Sequence, residues 1–128
     1  MKKIEAIIRE ERLPLVLADL REMGYPGITV TSVKGHGRQK GIKQVYRSVE
    51  YTVEFLPKAK IEILTEDESV DRIVAAIARN ARTGAIGDGK IWVMPIESVV
   101  RVRTGETDEE ALSHEVPAST PERVPALV

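Results

Sequence analysis

Cysteine is absent from the 128 residues, so a disulfide framework and a thiolate metal site are both excluded, and a reducing compartment is allowed. Aromatic residues make up only 4%, with a single Phe and a single Trp. Net charge is almost nil, −1 at neutral pH, whereas a general nucleic-acid binder carries a strongly basic footprint. No apolar run reaches the length of a signal-peptide core or a membrane span, so the expected location is cytoplasmic. His36 and His114 have no partners at metal-ligand spacing, which argues against a transition-metal site. No Ser/His/Asp or Cys/His set supplies a nucleophile with its base.

What is there is ordinary globular material, 42% hydrophobic and 30% charged, enough for one domain with its own core. Residues 2–9 alternate as a strand, with Ile4, Ala6 and Ile8 on one face and Ile7 on the other. Pro14 fits the first turn of a helix whose apolar stripe is Leu13, Val16, Leu17, Leu20 and Met23, and Gly24 is its natural stop. Pro26-Gly27 turns the chain into a β-branched second strand, Ile28 to Val33. Val53 to Leu64 reads as a third strand. Glu66, Asp67 and Glu68 suit a helix N-terminus, with Ser69 as a cap, before a stripe of Val70, Ile73, Val74, Ile77, Ala78 and Ala81. Ile91 to Ile96 is a fourth strand with both faces apolar, and Val99 to Val102 a short fifth, on which Arg101 and Arg103 share a face. The order βαββαβ is that of an α+β, ferredoxin-like domain. Two helices cover one face of such a sheet, and self-association is the economical cover for the other. From Gly105 the chain turns acidic, and the prolines after Val116 point to a disordered or loosely docked tail.

The long connection between the second and third strands is the organising stretch. It opens with Lys34-Gly35-His36-Gly37-Arg38-Gln39-Lys40-Gly41, and from Lys34 to Val49 it holds five Lys or Arg and no Asp or Glu. Its glycines permit close approach of backbone to a ligand. With no clean period from Ile42 to Thr52, it reads as a mobile basic projection beside an anion-binding turn. A second glycine loop, Gly84 to Lys90, spells G-x-x-x-x-G-K, but Ile91 stands where a phosphate-binding loop has Ser or Thr. It also leads from helix to strand, the reverse of a P-loop. As a turn whose N–H groups and one lysine hold phosphate it survives.

Five pieces of the chain resemble, in order and spacing, the PII nitrogen-regulatory signal proteins. They are Val33 to Gly41, Tyr46-Arg47 with Glu50-Tyr51, Phe55-Leu56-Pro57-Lys58, Thr83-Gly84 with Ile86 to Lys90, and Arg101-Val102-Arg103-Thr104-Gly105. The resemblance covers residues 1–112 and leaves 113–128 as a tail. It implies a homotrimer of ferredoxin-like subunits, with ATP or ADP in the clefts between them and 2-oxoglutarate bound together with Mg-ATP. The basic projection, residues 37–54, matches the T-loop, which docks on targets such as an ammonium transporter and nitrogen-assimilation enzymes or regulators. Gly87, Asp88, Gly89 and Lys90 match the phosphate loop. Arg101 and Arg103 match arginines that reach in from the neighbouring subunit, and Gly37, Arg38 and Gln39 match the T-loop base. Ile7, Thr29, Gly35, Glu62, Leu64 and Ile86 match positions lining the nucleoside pocket. Gln39 matches a magnesium ligand, and Lys58 the partner of a 2-oxoglutarate carboxylate, with Gly37, Lys40 and Gly41 alongside. Tyr51 matches a site of nucleotidylation, and Arg47 a loop-tip residue that enters a channel.

The chain departs from that pattern at Arg9-Glu10-Glu11-Arg12, where the family has a basic-proline-aromatic run, and at Val49, where some relatives carry a phosphorylated serine. The reading is a non-enzymatic sensor. Its rivals are a nucleotide-hydrolysing enzyme, which lacks an evident base and nucleophile, and a ferredoxin-like nucleic-acid module. In the latter His36 and Arg38 stand where stacking aromatics belong.

Overall fold

In the computed structural model of the chain, residues 1–36, 42–46, 49–53 and 55–113 are described, the two short inner segments by backbone alone. The alternation in residues 2–9 becomes strand β1 (Lys2–Arg9), with Ile4, Ala6 and Ile8 at most 1% exposed. Helix α1 (Leu13–Glu22) carries Pro in its first turn and buries Val16 and Leu20. It ends where expected. Gly24 adopts φ +94, its N–H reaches the Arg21 carbonyl, and the Tyr25 N–H reaches back to Leu20. That pair of bonds is a Schellman motif, which satisfies the last carbonyls of the helix and turns Tyr25 into the core.

Strand β2 (Thr29–Gly35) is followed by β3 (Ile42–Tyr46) and β4 (Val49–Val53), then by β5 (Leu56–Thr65). Here the sequence reading needs correction. The segment lacking a clean period forms an antiparallel pair of its own, with Ile42 opposite Val53 and Tyr46 opposite Val49. Val53 therefore closes that hairpin instead of opening the third strand of the main sheet, which starts at Leu56. Branched and aromatic residues at 42, 45, 46, 49, 51 and 53 favour extended backbone even without strict alternation.

Helix α2 (Val70–Ala81) buries Ile73, Ala76, Ile77 and Ala81. Ser69 precedes it but makes no capping bond. Its hydroxyl accepts from Tyr25 Oη and donates to Glu66, so a tertiary contact has claimed the group that local sequence assigned to the helix end. On the outer side Asp19 of α1 accepts from Arg79 and Asn80 of α2, both at 2.6 Å. These donors, Arg79 first, hold its carboxyl below the usual range.

Strand β6 (Gly89–Pro95) completes a four-stranded antiparallel sheet in the order β2-β5-β1-β6. This is the strand arrangement of a ferredoxin-like α+β fold. Register decides the faces. Ile4, Ala6 and Ile8 stand against Ile63, Ile61 and Ala59, and against Val93, Ile91 and Gly89, on the side covered by α1 and α2. Each fully buried Ile or Leu there contributes about 1.5–3 kcal/mol. The opposite side carries Lys3, Glu5, Ile7, Lys60, Glu62, Leu64, Lys90, Trp92 and Met94. Trp92 and Leu64 on it are more than a third exposed.

The short strand expected at Val99 to Val102 is absent. Val100 makes an isolated bridge to Thr107, and residues 102–104 form a turn closed by the Gly105 N–H on the Arg101 carbonyl. Arg101 and Arg103 therefore do not share a strand face. A five-residue helix α3 (Asp108–Leu112) follows and buries Leu112. Of the tail expected over residues 113–128, everything beyond Ser113 lies outside the described residues. No helix among the described residues is long and apolar enough to cross a membrane.

One glycine is tested by this geometry. At Gly89, with φ +105, an added Cβ would sit 1.7 Å from the Ile7 carbonyl oxygen, whereas at Gly84, with φ +89, it would meet nothing within 4 Å. Gly84→Ala should cost about 1–2 kcal/mol for the left-handed backbone alone. Gly89→Ala adds an overpacking penalty and should cost at least about 3 kcal/mol. Urea denaturation of the two variants checks the difference.

Candidate functional site

The loop between α2 and β6 is built around one carboxylate. Asp88 Oδ2 accepts the backbone N–H groups of Thr83 (2.8 Å) and Gly84 (2.9 Å), while Oδ1 accepts the Thr83 hydroxyl and Arg9 Nε (3.0 Å). The Thr83 hydroxyl first, then its N–H, with Arg9 and the Gly84 N–H, hold the Asp88 carboxyl far below its ordinary range against the opposing effect of burial. Gly84, Gly87 and Gly89 all have positive φ, so the chain makes bends here that a side chain would resist. The loop is thereby pre-shaped before any ligand arrives.

Two cations grip its outer turn. Arg9, the last residue of β1, donates to the Ile86 carbonyl at 2.8 Å, and Lys58 donates from Nζ to the Gly87 carbonyl at 2.8 Å. Arg9 and Lys58 are directly opposite in the β1–β5 register. Lys58 is only 8% exposed, and burial, then the Arg9 charge, pushes its pKa down. Gly35 makes room for it, since a Cβ there would lie 3.1 Å from Lys58 Cγ. Lys90, exposed, follows the loop and pairs with Ile7 on the helix-free side of the sheet. Seven expected residues thus gather at this end: Gly35, Lys58, Ile86, Gly87, Asp88, Gly89 and Lys90, with Ile7 adjoining.

A second group sits at the other end of β1. Thr29, Glu62 and Leu64 line a cavity of about 430 Å³ together with Lys3, Gly27, Ile63, Ile96, Ser98 and Val99. Lys3 Nζ lies 2.7 Å from Glu62 and 2.9 Å from Glu5, and Trp92 Nε1 donates to Glu5 at 2.9 Å. The hydrogen bonds to Glu62 and then Glu5 raise the Lys3 pKa, and Lys3 in turn lowers that of Glu5. Gly89 pairs with Ile8, whereas Leu64 pairs with Lys3. Five residues of strand, roughly 17 Å, separate the two registers.

Arg101 follows Val99 of the cavity wall by two residues. Its guanidinium donates to Glu106 (3.3 Å), to the Ala111 carbonyl (3.0 Å) and to the Ser113 carbonyl (2.6 Å). Arg103 is exposed in the adjoining turn. Within one chain, then, the expected residues fall in two separate groups, one at the loop end and one at the cavity. Gly37, Arg38, Gln39, Lys40, Gly41 and Arg47 lie outside the described residues, and of Tyr51 only the backbone, within β4, is described. No group of three or more His, Cys, Asp or Glu able to hold a metal occurs among the described residues.

The sequence reading missed Arg9 and Lys3. Arg9 was noted only as part of a departure from a family pattern, yet it is tied to both Asp88 and the Ile86 carbonyl. Its place opposite Lys58 was the available signal, once the β1–β5 pairing was known. Lys3 and Glu62 are 59 residues apart in a chain numbered from Met1 to Val128, and nothing local joins them.

Comparison with known proteins concerns nearly the whole of this geometry. The profile of the family described as nitrogen regulatory protein P-II matches residues 1–106. A nitrogen regulatory protein P-II of Azospirillum brasilense is 56% identical over 112 residues, covering 88% of this chain and all of the relative. That of Rhizobium etli is 57% identical, and P-II 1 of Escherichia coli 54%, over the same coverage.

Because the Asp88 pKa is depressed in the folded chain, its contribution is complete above the unfolded value, about 4. It is lost only as pH falls through the lower folded value. The amide proton shifts of Thr83 and Gly84 should stay constant in NMR spectra from about pH 7 to about pH 3, while exposed carboxylates titrate near pH 4. Asp88→Asn should move both shifts at neutral pH.

Proposed function

The chain belongs to the nitrogen regulatory protein P-II family, and from that premise we propose that it is a non-enzymatic, cytoplasmic reporter of nitrogen status. It binds ATP or ADP, and 2-oxoglutarate together with Mg-ATP, and acts on its targets through residues 37–54. The observation that carries this reading is the pre-shaped loop from Thr83 to Gly89, with Lys58 and Lys90 beside it. Backbone bends and cations at one place suit a polyphosphate. Asp88 is the loop's only carboxylate, and it is already occupied by the Thr83, Gly84 and Arg9 donors. It is therefore a structural latch, poorly suited to act as a general base for hydrolysis.

The two partial sites complement each other between copies. The loop end of one subunit supplies Gly87, Asp88, Gly89 and Lys90, with Ile7, Gly35 and Ile86. The cavity end of the next supplies Thr29, Glu62 and Leu64, with Arg101 and Arg103. A homotrimer closes such a heterologous contact into a ring, and it covers the face on which Trp92 and Leu64 are exposed. Arg38 joins the phosphate cations. Gln39 contributes to magnesium, most of whose remaining ligands come from the nucleotide, as is usual for that ion. Lys58 meets the far carboxylate of 2-oxoglutarate, with Gly37, Lys40 and Gly41 near the same ligand. Burial and the neighbouring Arg9 charge push the Lys58 pKa down, and a carboxylate arriving at its ammonium would favour the charged form.

Because Gln39 and Lys58 stand at the two roots of the projection, a ligand that engages both redirects it. Arg47 at its tip then enters or leaves the cytoplasmic mouth of an ammonium channel, and Tyr51 is the acceptor for a nucleotidyl group. Nitrogen-assimilation enzymes and regulators are the other partners.

Three outcomes are expected. ATP and ADP compete for one site per subunit, and Lys90→Ala weakens ATP at least about tenfold, the value of one hydrogen bond to a charged group. Calorimetry showing unchanged affinity removes Lys90 from the site. Titrated against ATP-loaded and ADP-loaded protein, 2-oxoglutarate binds the first with magnesium and fails with the second. It tightens ATP by the same factor as ATP tightens it. Sedimentation equilibrium gives a trimer at micromolar concentration, and a stable monomer there refutes the assembly.

A further inference from the structure

Helix α3 (Asp108–Leu112) is five residues long, too short to persist by its own hydrogen bonds. Its first residue, Asp108, holds φ +51, a left-handed conformation that is costly without glycine. What keeps the helix in place is therefore tertiary. At the N-terminal end the Val99 carbonyl accepts the Asp108 N–H at 2.8 Å, and the Val99 N–H donates to the Asp108 carboxylate at 3.2 Å. At the C-terminal end Leu112 is only 6% exposed, and Arg101 closes the last turn. Arg101 Nη2 donates to the Ala111 carbonyl at 3.0 Å and to the Ser113 carbonyl at 2.6 Å. Nη1 donates to Glu106 Oε1 at 3.3 Å. The last carbonyls of a helix have no partner within it, so the guanidinium serves as their cap.

The choice of protons matters. A guanidinium grips a phosphate with two parallel N–H groups along either of two edges, Nε with Nη2 or Nη1 with Nη2. Both edges need a proton of Nη2, and both Nη2 protons are directed at the carbonyls of Ala111 and Ser113. The Glu106 carboxylate beside Nη1 adds negative charge on the second edge. Single bonds from Nε or Nη1 are left, but a two-bond grip on phosphate requires the end of α3 to let go. We propose that Arg101 has two alternative occupants, the C-terminal end of α3 and a phosphate group. Nucleotide loading then releases Ala111 to Ser113 and the chain that continues from Ser113. This rests on the nucleotide reading above and adds to it a coupling between the ligand and the C-terminal segment. The tie at Val99 does not involve Arg101, so the release is confined to the far end of the helix. Linkage makes the coupling reciprocal, and whatever loosens α3 tightens the nucleotide.

The chain contains no cysteine, so Leu112→Cys introduces a single thiol that is shielded while α3 is held. Its reaction rate with an aromatic disulfide reagent reads exposure. The rate is measured in the full chain without ligand, with saturating ATP, and with adenosine, which carries no phosphate. ATP is expected to raise the rate at least about fivefold, and adenosine to leave it unchanged. An unchanged rate in protein that calorimetry shows to bind ATP overturns the proposal, as does an equal rise with adenosine. Wild type that binds no ATP overturns the nucleotide reading instead, and this inference with it. The reverse direction is read by calorimetry of Leu112→Ala, which removes the apolar anchor of α3 and should bind ATP several-fold more tightly. ATP binding reports that the variant has folded. Should it fail to fold, Leu112→Val should give a smaller tightening, and no tightening counts against the proposal.

Discussion

The backbone of β6 meets that of β1 with only a hydrogen atom's room at Gly89, and much of the molecule's organisation follows from that contact. β1 is a central strand, paired on one side with β5 and on the other with β6. Gly89 fixes where the second pairing begins, and so decides that Ile91 faces the core while Lys90 and Trp92 face away. A slip of one residue would exchange those faces. The Asp88 latch directly precedes this contact, so the loop that it shapes is anchored to the most constrained strand of the sheet.

Charge is distributed with the same economy. Arg9 and Lys58 face each other across β1 and β5, and the Arg9 charge helps to push the Lys58 pKa down. Arg9 has Asp88 as a counter-ion, and both direct their donors at carbonyls of the loop. At mid-strand, Glu5 and Glu62 face each other in register and are joined through Lys3. β1 therefore carries two like-charged cross-strand pairs, each with a third group beside it: a cationic one at its end by the loop and an anionic one at mid-strand, near the cavity. In the nucleotide-binding trimer proposed above, that polarity would suit the phosphate end and the base end of the ligand.

The stretch after β6 has a different character. Val102 is 94% exposed and Val100 61%, beside an arginine whose guanidinium is drawn to the carbonyls of Ala111 and Ser113. In the trimer proposed above, Arg101 would exchange these carbonyl partners for a phosphate, a more strongly charged acceptor.

The amino-acid sequence by itself determined the two helices, the four strands of the main sheet and the cap at Gly24, because these depend on periodicity and on local backbone preference. The stripe from Val70 to Ala81 and the alternation from Ile4 to Ile8 are legible without any knowledge of partners. It also marked the loop from Gly84 to Lys90, since glycines at that density have few other uses. Only the tertiary structure decided that Val53 closes a separate hairpin, that Ser69 serves Tyr25 instead of capping α2, and that Arg101 and Arg103 occupy a turn. It alone brought Arg9 to Asp88, across 79 residues of chain, and Lys3 to Glu62. The physical reason is the same in each case. Periodicity records which face of an element is buried, but the partner of a polar side chain is set by strand register between distant segments, and register is a property of the assembled sheet.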